Sequence, residues 1–260
     1  MTRTPFIAGN WKMNLDHLQA IALVQKLAWT LADARHDFAA VEVAVFPPFT
    51  DLRSVQTLVQ ADKLPIRYGA QDVSVHASGA YTGEVAGAFL ARLDCAYVIV
   101  GHSERRQYHA ETDEIVGAKA RAAKENGIVP VICVGETLEQ REAGEATAIP
   151  TAQLRTALAS LAPGDDFVIA YEPVWAIGTG LAATADDAQA MSAALRATIA
   201  DALGEETAEN TRILYGGSVK TENAAGYLKM PDVDGALVGG ASLDVDSFAG
   251  IVRFQKHVTF

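Results

Sequence analysis

A glutamate, a histidine and a lysine stand out because each follows an apolar run and lies near glycine or proline. Glu172 sits in AYEPVWAIGTG, His102 opens HSERRQY, and Lys12 comes two residues after Asn10 in GNWKMN. A carboxylate leaving an apolar run can take a proton, and an apolar setting raises its pKa and strengthens it as a base. His102 precedes Ser103, a residue type that begins helices, so the imidazole would face helix-terminal N–H groups. That setting disfavours imidazolium and leaves a neutral ring able to donate one hydrogen bond to a carbonyl. Lys12 supplies positive charge, and Asn10 can orient it or donate to a substrate oxygen. Taken singly, each has a plain alternative: a helix cap or ion pair for Glu172, a satisfied structural histidine for His102, a surface cation for Lys12.

Two further segments would serve an anionic ligand. Ser218 in YGGSVK and the pair Gly239-Gly240 in LVGGASL offer backbone N–H groups close to helix starts, and glycine lets a phosphate approach closely. Glycine pairs are also common turns. Residues 173–180 are too apolar for an ordinary exposed loop, while Gly178 and Gly180 supply backbone freedom, a pattern that suits a lid over a ligand or a plain packed loop.

These residues need elements that deliver them to one place. Short β-rich apolar runs recur at 5–9, 41–46, 66–70, 97–101, 129–134, 167–171, 212–216 and 236–239. Uninterrupted apolar runs, rather than strict alternation, are what strands buried on both faces require. Between them lies helical periodicity: Ile21, Val24, Ala28 and Leu31 share a face, as do Met191, Leu195, Ile199 and Ala202. Eight alternating strand and helix units without a linker predict an α/β fold, a (β/α)8 barrel in which residues 1–260 form a single domain. In such barrels chemistry gathers where strands run out into loops, and every candidate above stands at or just past such a point.

Composition narrows the partners. Lysine and arginine total 21 against 32 acidic residues, a net charge of −11, which repels nucleic acid and anionic membrane surfaces. No membrane span or leader is legible, so a cytoplasmic protein with a small-molecule ligand is expected. Cys95 and Cys133 lie in or beside apolar stretches and read as buried thiols. The cysteines and six histidines show no metal-ligand spacing, and neither metal nor cofactor is expected.

Five blocks, AGNWKMN (8–14), GHSERR (101–106), YEPVWAIGTG (171–180), YGGSVK (215–220) and ALVGGASL (236–243), together resemble the signature segments of the triosephosphate isomerase family, in the family's order. The resemblance runs from end to end and implies a TIM barrel that interconverts dihydroxyacetone phosphate and glyceraldehyde 3-phosphate. It implies Glu172 as proton acceptor, His102 as electrophile and Lys12 as a further catalytic group. Asn10 and Lys12 would bind substrate, and Gly178, Ser218, Gly239 and Gly240 would hold the phosphate. Glu104 resembles a partner for the lysine region. Residues 69–85 resemble the family's dimer-contact loop, which implies a homodimer through Gln71–Glu84 with Thr82 reaching toward the partner. Two departures, Asp72 where asparagine is common and Ala185 where proline is frequent, put interface detail and the start of a helix in doubt. Other phosphate-binding barrels, such as a sugar-phosphate aldolase, and a catalytically dead barrel are the competing readings.

Overall fold

The computed structural model describes residues 3–177 and 182–257. Its strands are β1 (Phe6–Asn10), β2 (Glu42–Phe46), β3 (Arg67–Ala70), β4 (Tyr97–Val100), β5 (Val129–Val134), β6 (Val168–Tyr171), β7 (Arg212–Tyr215) and β8 (Gly235–Val238). All pair in parallel with their sequence neighbours, and β8 closes on β1, giving an eight-stranded barrel. Helices α1 (His17–Asp33), α2 (Leu52–Ala61) and α3 (Gly87–Arg92) follow the first three strands. Helices α4 (Ser103–His109) and α5 (Asp113–Glu125) follow β4, and α6 (Leu138–Glu142) and α7 (Ala148–Leu158) follow β5. The outer ring is completed by α8 (Ala185–Leu203), α9 (Glu205–Asn210), α10 (Thr221–Leu228) and α11 (Val245–Val252).

The fold expected from the apolar runs is the fold observed, and the reason is visible in the core. One buried cluster fills the barrel interior with Phe6, Ala8, Ala44, Phe46, Tyr97, Ile99, Val131, Cys133, Val168, Ala170, Leu214 and Leu237. Their strand neighbours Ile7, Val45, Val98, Ile132, Ile169 and Ile213 belong to a second cluster shared with the helices. Both faces of these strands are therefore apolar, as parallel strands under a helical layer demand; β3, with Arg67 and Gly69 at its alternate positions, adds no side chain to the interior cluster.

Two details of the helical faces differ from expectation. Ile21 is only half-buried, and Ala20 and Leu27 join Val24, Ala28 and Leu31 on the packed side of α1. On α8, Ala202 is exposed and Leu203 takes its place beneath Ile199. In each case the buried stripe runs along steps of four with an occasional three, following the 3.6-residue turn. The departure at Ala185 leaves the start of α8 intact: Thr184 accepts the Asp187 N–H, and the Asp187 carboxylate accepts the Thr184 N–H in return.

Candidate active site

Strand periodicity sets the mouth of the barrel. Phe6 and Ala8 point inward, so Asn10 is the next inward position on β1; Val168 and Ala170 do the same for Glu172 on β6. The same count on β5, β7 and β8 reaches Gly135, Gly216 and Gly239. Glycine is needed at two of these. A Cβ on Gly135 would lie 1.8 Å from the Glu172 carbonyl oxygen, and one on Gly216 would lie 3.0 Å from Glu172 Cγ. On β5 a side chain is thus excluded by the Glu172 backbone, and on β7 a side chain would crowd the Glu172 stem.

His102 arrives differently. β4 ends at Val100, and Gly101 turns the chain with φ of 68°, where a Cβ would strike the Val116 methyls at 2.6 Å. His102 then serves as N-cap of α4, its Nδ1 accepting the Glu104 N–H at 3.2 Å. The ring keeps its proton on the inward Nε2, which stands 2.9 Å from Glu172 Oε1. The other carboxylate oxygen accepts the Ser103 N–H at 2.8 Å. Both side chains are buried.

Here the structure corrects two expectations about charge. Burial alone pushes the Glu172 pKa up, as the sequence reading supposed, but contact with His102 and the Ser103 N–H outweighs it and holds the carboxyl below the ordinary glutamate range. Burial pushes the imidazole down, yet the Glu172 carboxylate lifts it above the ordinary histidine value. The helix terminus is present as expected, at Nδ1; what spacing could not reveal is an acid in contact at Nε2. A variant with Glu172→Gln should therefore show His102 titrating at lower pH than the parent when its ring resonances are followed by NMR. An unchanged or higher titration point would contradict this account of the pair.

Lys12 adopts φ of 53°, a left-handed backbone that a non-glycine residue holds only when its surroundings impose it. The Asn10 side chain accepts the Lys12 N–H at 3.0 Å. The Gln71 amide donates to the carbonyl oxygens of both Lys12 and Phe46, each at 2.8 Å. So held, Lys12 directs its Nζ to Glu104 Oε1 at 2.6 Å, beside the histidine. The role of Gln71 in this anchoring is absent from the sequence reading, although its position directly after β3 satisfies the strand-end rule that found the others.

Asn10, Lys12, His102, Glu172, Ser218, Gly239 and Gly240 all line one cavity of about 340 Å³. Gly178 lies outside the described residues. Lys220 also lines the cavity and went unnoticed in the sequence, where it closes the YGGSVK block. A larger space of about 810 Å³ lies at the opposite, N-terminal ends of the strands, where Arg212 and Glu42 already satisfy each other at 2.5 Å. Size therefore does not mark the chemistry; convergence of strand ends does.

The end of β6 and the segment that follows it are tied to the loop after β5. Trp175 Nε1 and Tyr171 Oη both donate to Glu136 Oε1, at 2.8 and 3.1 Å, and the Arg141 guanidinium stacks over the Trp175 ring at 4.7 Å.

Comparison with known proteins agrees with this geometry. The family model for triosephosphate isomerase matches residues 5–255. The chain belongs to the triosephosphate isomerase family. A triosephosphate isomerase of Leifsonia xyli subsp. xyli is 69% identical over 258 residues, covering 99% of this chain and 100% of the relative. One from Streptomyces coelicolor is 62% identical, covering 98% and 99%, and one from Mycobacterium bovis is 58% identical, covering 96% and 95%. For a triosephosphate isomerase family member, the cavity joins a carboxylate, an imidazole and an ammonium group at one end with glycine-rich backbone at the other.

Proposed function

We propose that this chain is an aldose-ketose isomerase that interconverts dihydroxyacetone phosphate and D-glyceraldehyde 3-phosphate through an enediolate, in glycolysis and gluconeogenesis. The observation that carries the reading is the convergence of Glu172, His102 and Lys12 with the glycine-rich backbone of Gly239 and Gly240 on one cavity at the barrel mouth. The reaction moves a proton between adjacent carbons, so one base can serve both. Glu172 takes the proton, while His102 Nε2–H and Lys12 stabilise the oxyanion that develops. Asn10 and Lys12 hold the substrate, and Ser218, Gly239, Gly240 and Gly178 hold its phosphate through backbone N–H groups, which places the carbons against the base.

The contact between Glu172 and His102 gives the two groups the opposite of what turnover requires, a weakened base and a more basic imidazole. A substrate entering between them separates the pair. Burial then dominates, raising Glu172 as a base and favouring the neutral imidazole as a hydrogen-bond donor. Closure of residues 173–180, of which 178–180 lie outside the described residues, would exclude water from the intermediate.

The chain would act as a single catalytic domain, 1–260, with no cofactor or metal, in the cytoplasm; its two buried free cysteines fit a reducing compartment. Among the described residues no helix is long and apolar enough to cross a membrane. A homodimer through Gln71–Glu84 fits the exposure of Val75 and Tyr81, with Thr82 directed to the partner. The loop has its own support: the Ser74 N–H bonds the Val85 carbonyl at 2.9 Å, and His76 stacks on Tyr81. Sedimentation should give twice the 27.5 kDa chain mass. A monomer at micromolar concentration would remove the dimer from this account. The activity itself is tested by a coupled assay with glyceraldehyde 3-phosphate, in which absence of dihydroxyacetone phosphate refutes the function. The competing aldolase reading would need a Schiff-base lysine beside the carbonyl, whereas Lys12 is engaged with Glu104.

A further inference from the structure

Helix α4 carries a disproportionate share of the site. Its N-cap is His102, its first N–H binds Glu172, and its second residue, Glu104, pairs with Lys12. Yet none of its seven residues is buried, so no apolar side chain of its own fastens it to the barrel. Its attachment is polar. Arg105 reaches Asp72 at 2.9 Å and Glu111 at 2.6 Å, and these two carboxylates also share the buried Lys119 ammonium. The neighbouring residue, Arg106, turns the other way, into the barrel end.

The three bonds of Arg106 have a particular arrangement. Its Nε donates to the Gly101 carbonyl at 2.9 Å, its Nη2 to the Cys133 carbonyl at 3.2 Å, and its Nη1 to the Asp113 carboxylate at the start of α5. The last paired residues of the β4 and β5 ladder are Val100 and Ile132. Gly101 and Cys133 are each one residue beyond, so the guanidinium joins the two strands just where their own hydrogen bonds stop. Gly101 is the left-handed residue from which His102 departs, and the Cys133 side chain lies against Glu172.

We propose that Arg106 is a positioning residue for proton transfer, acting through the Gly101 and Cys133 carbonyls to set where His102 and Glu172 meet. A planar fork can hold two carbonyls and a carboxylate in fixed directions; an ammonium group is a single point and cannot. Without the fork, the Gly101 turn is free to rotate the His102 ring away from the reacting oxygen. Arg106 does not touch the cavity that contains the phosphate-binding backbone, so its effect falls on chemistry and not on substrate capture.

The kinetic arm of the test rests on the isomerase reading above; a spectroscopic arm does not. In Arg106→Lys the charge beside Asp113 is retained, and kcat is expected to fall roughly 10- to 100-fold, the scale for a displaced reacting group. KM for glyceraldehyde 3-phosphate should stay within about threefold, because an interaction felt only in the transition state leaves KM alone. The His102 ring resonances should move in the unliganded protein. Asp113→Asn removes the ion pair and leaves both carbonyl bonds, and should hold kcat within about fivefold of the parent, as for a partly exposed pair. Parent-like kcat in Arg106→Lys, a loss confined to KM, or an equal loss in Asp113→Asn would each overturn the proposal. Should the lysine variant fail to fold, Arg106→Gln, whose amide reaches one carbonyl at a time, takes its place with the same expectations. If the parent itself shows no isomerase activity, the functional reading fails, while unmoved His102 resonances in the variant would still refute the positioning role.

Discussion

Glu172→Gln is expected to lower kcat by roughly 10²–10⁴, the range for removing a positioned general base. The substitution is nearly isosteric, so the close approach of Glu172 Cγ to Gly216 is unchanged. The amide oxygen can still accept the Ser103 N–H that now binds the carboxylate at 2.8 Å. Folding should therefore survive, and KM should change less than kcat, since the proposed phosphate site, at Ser218, Gly239 and Gly240, does not include Glu172. What disappears is a group able to accept a proton from carbon. Coupled assays in both directions, with thermal unfolding as a control, make the measurement. Turnover within about tenfold of the parent would exclude Glu172 as the base, since general-base loss is larger than that.

Lys12→Met is expected to reduce kcat/KM by about 10²–10³, the usual effect of deleting one group that stabilises a developing oxyanion. Methionine keeps most of the apolar stem and removes the charge. The ion pair with Glu104 is lost as well, but that carboxylate is 42% exposed and can return to water, so little stability should go with it. Because Lys12 would meet both the phosphate and the oxyanion, KM should rise while kcat falls. Lys220 lines the same cavity and offers the discriminating control. If Lys220→Met proves severe and Lys12→Met mild, the positive charge of the site has been assigned to the wrong residue.

Both variants act on residues that were recognisable as candidates before any coordinate was known. The reason is the regularity of the parallel barrel: a continuous apolar run must be a doubly buried strand, and the first polar residue after it must emerge at the mouth. Asn10, Glu172 and Gly239 follow from that count alone. The glycines proposed to hold the phosphate are candidates on a different ground, since close backbone approach leaves little choice of residue. The charge state of the pair was not visible. The expectation of a strengthened carboxylate took burial into account and lacked the second group, which comes from another strand.

Residues that act through others were the least legible. Gln71 stands in the segment that resembles the family's dimer-contact loop, yet its amide secures the strained Lys12 backbone. Asp72 was noted only as a departure from the asparagine common in the family. It sits against Lys119 at 2.6 Å and Arg105 at 2.9 Å, so its charge is matched within the protomer. Burial raises its carboxyl pKa while those two cations work against the rise. Nothing in the order of residues 69–85 announces these partners, because Lys119 is 47 positions away.

What the sequence by itself determined is the succession of eight strands with their helices and the chemical type of each residue delivered to the barrel mouth. Both are local: periodicity and strand ends need only neighbours in the chain. The tertiary structure alone decided which of those residues touch. Pairing of β4, β5 and β6 brings Glu172 onto the Ser103 N–H across 69 positions, and Arg106 onto the Cys133 carbonyl across 27. Protonation states and ring orientation depend on distances of a few ångströms between such partners, and those distances are set only when strands distant in sequence pair in the sheet.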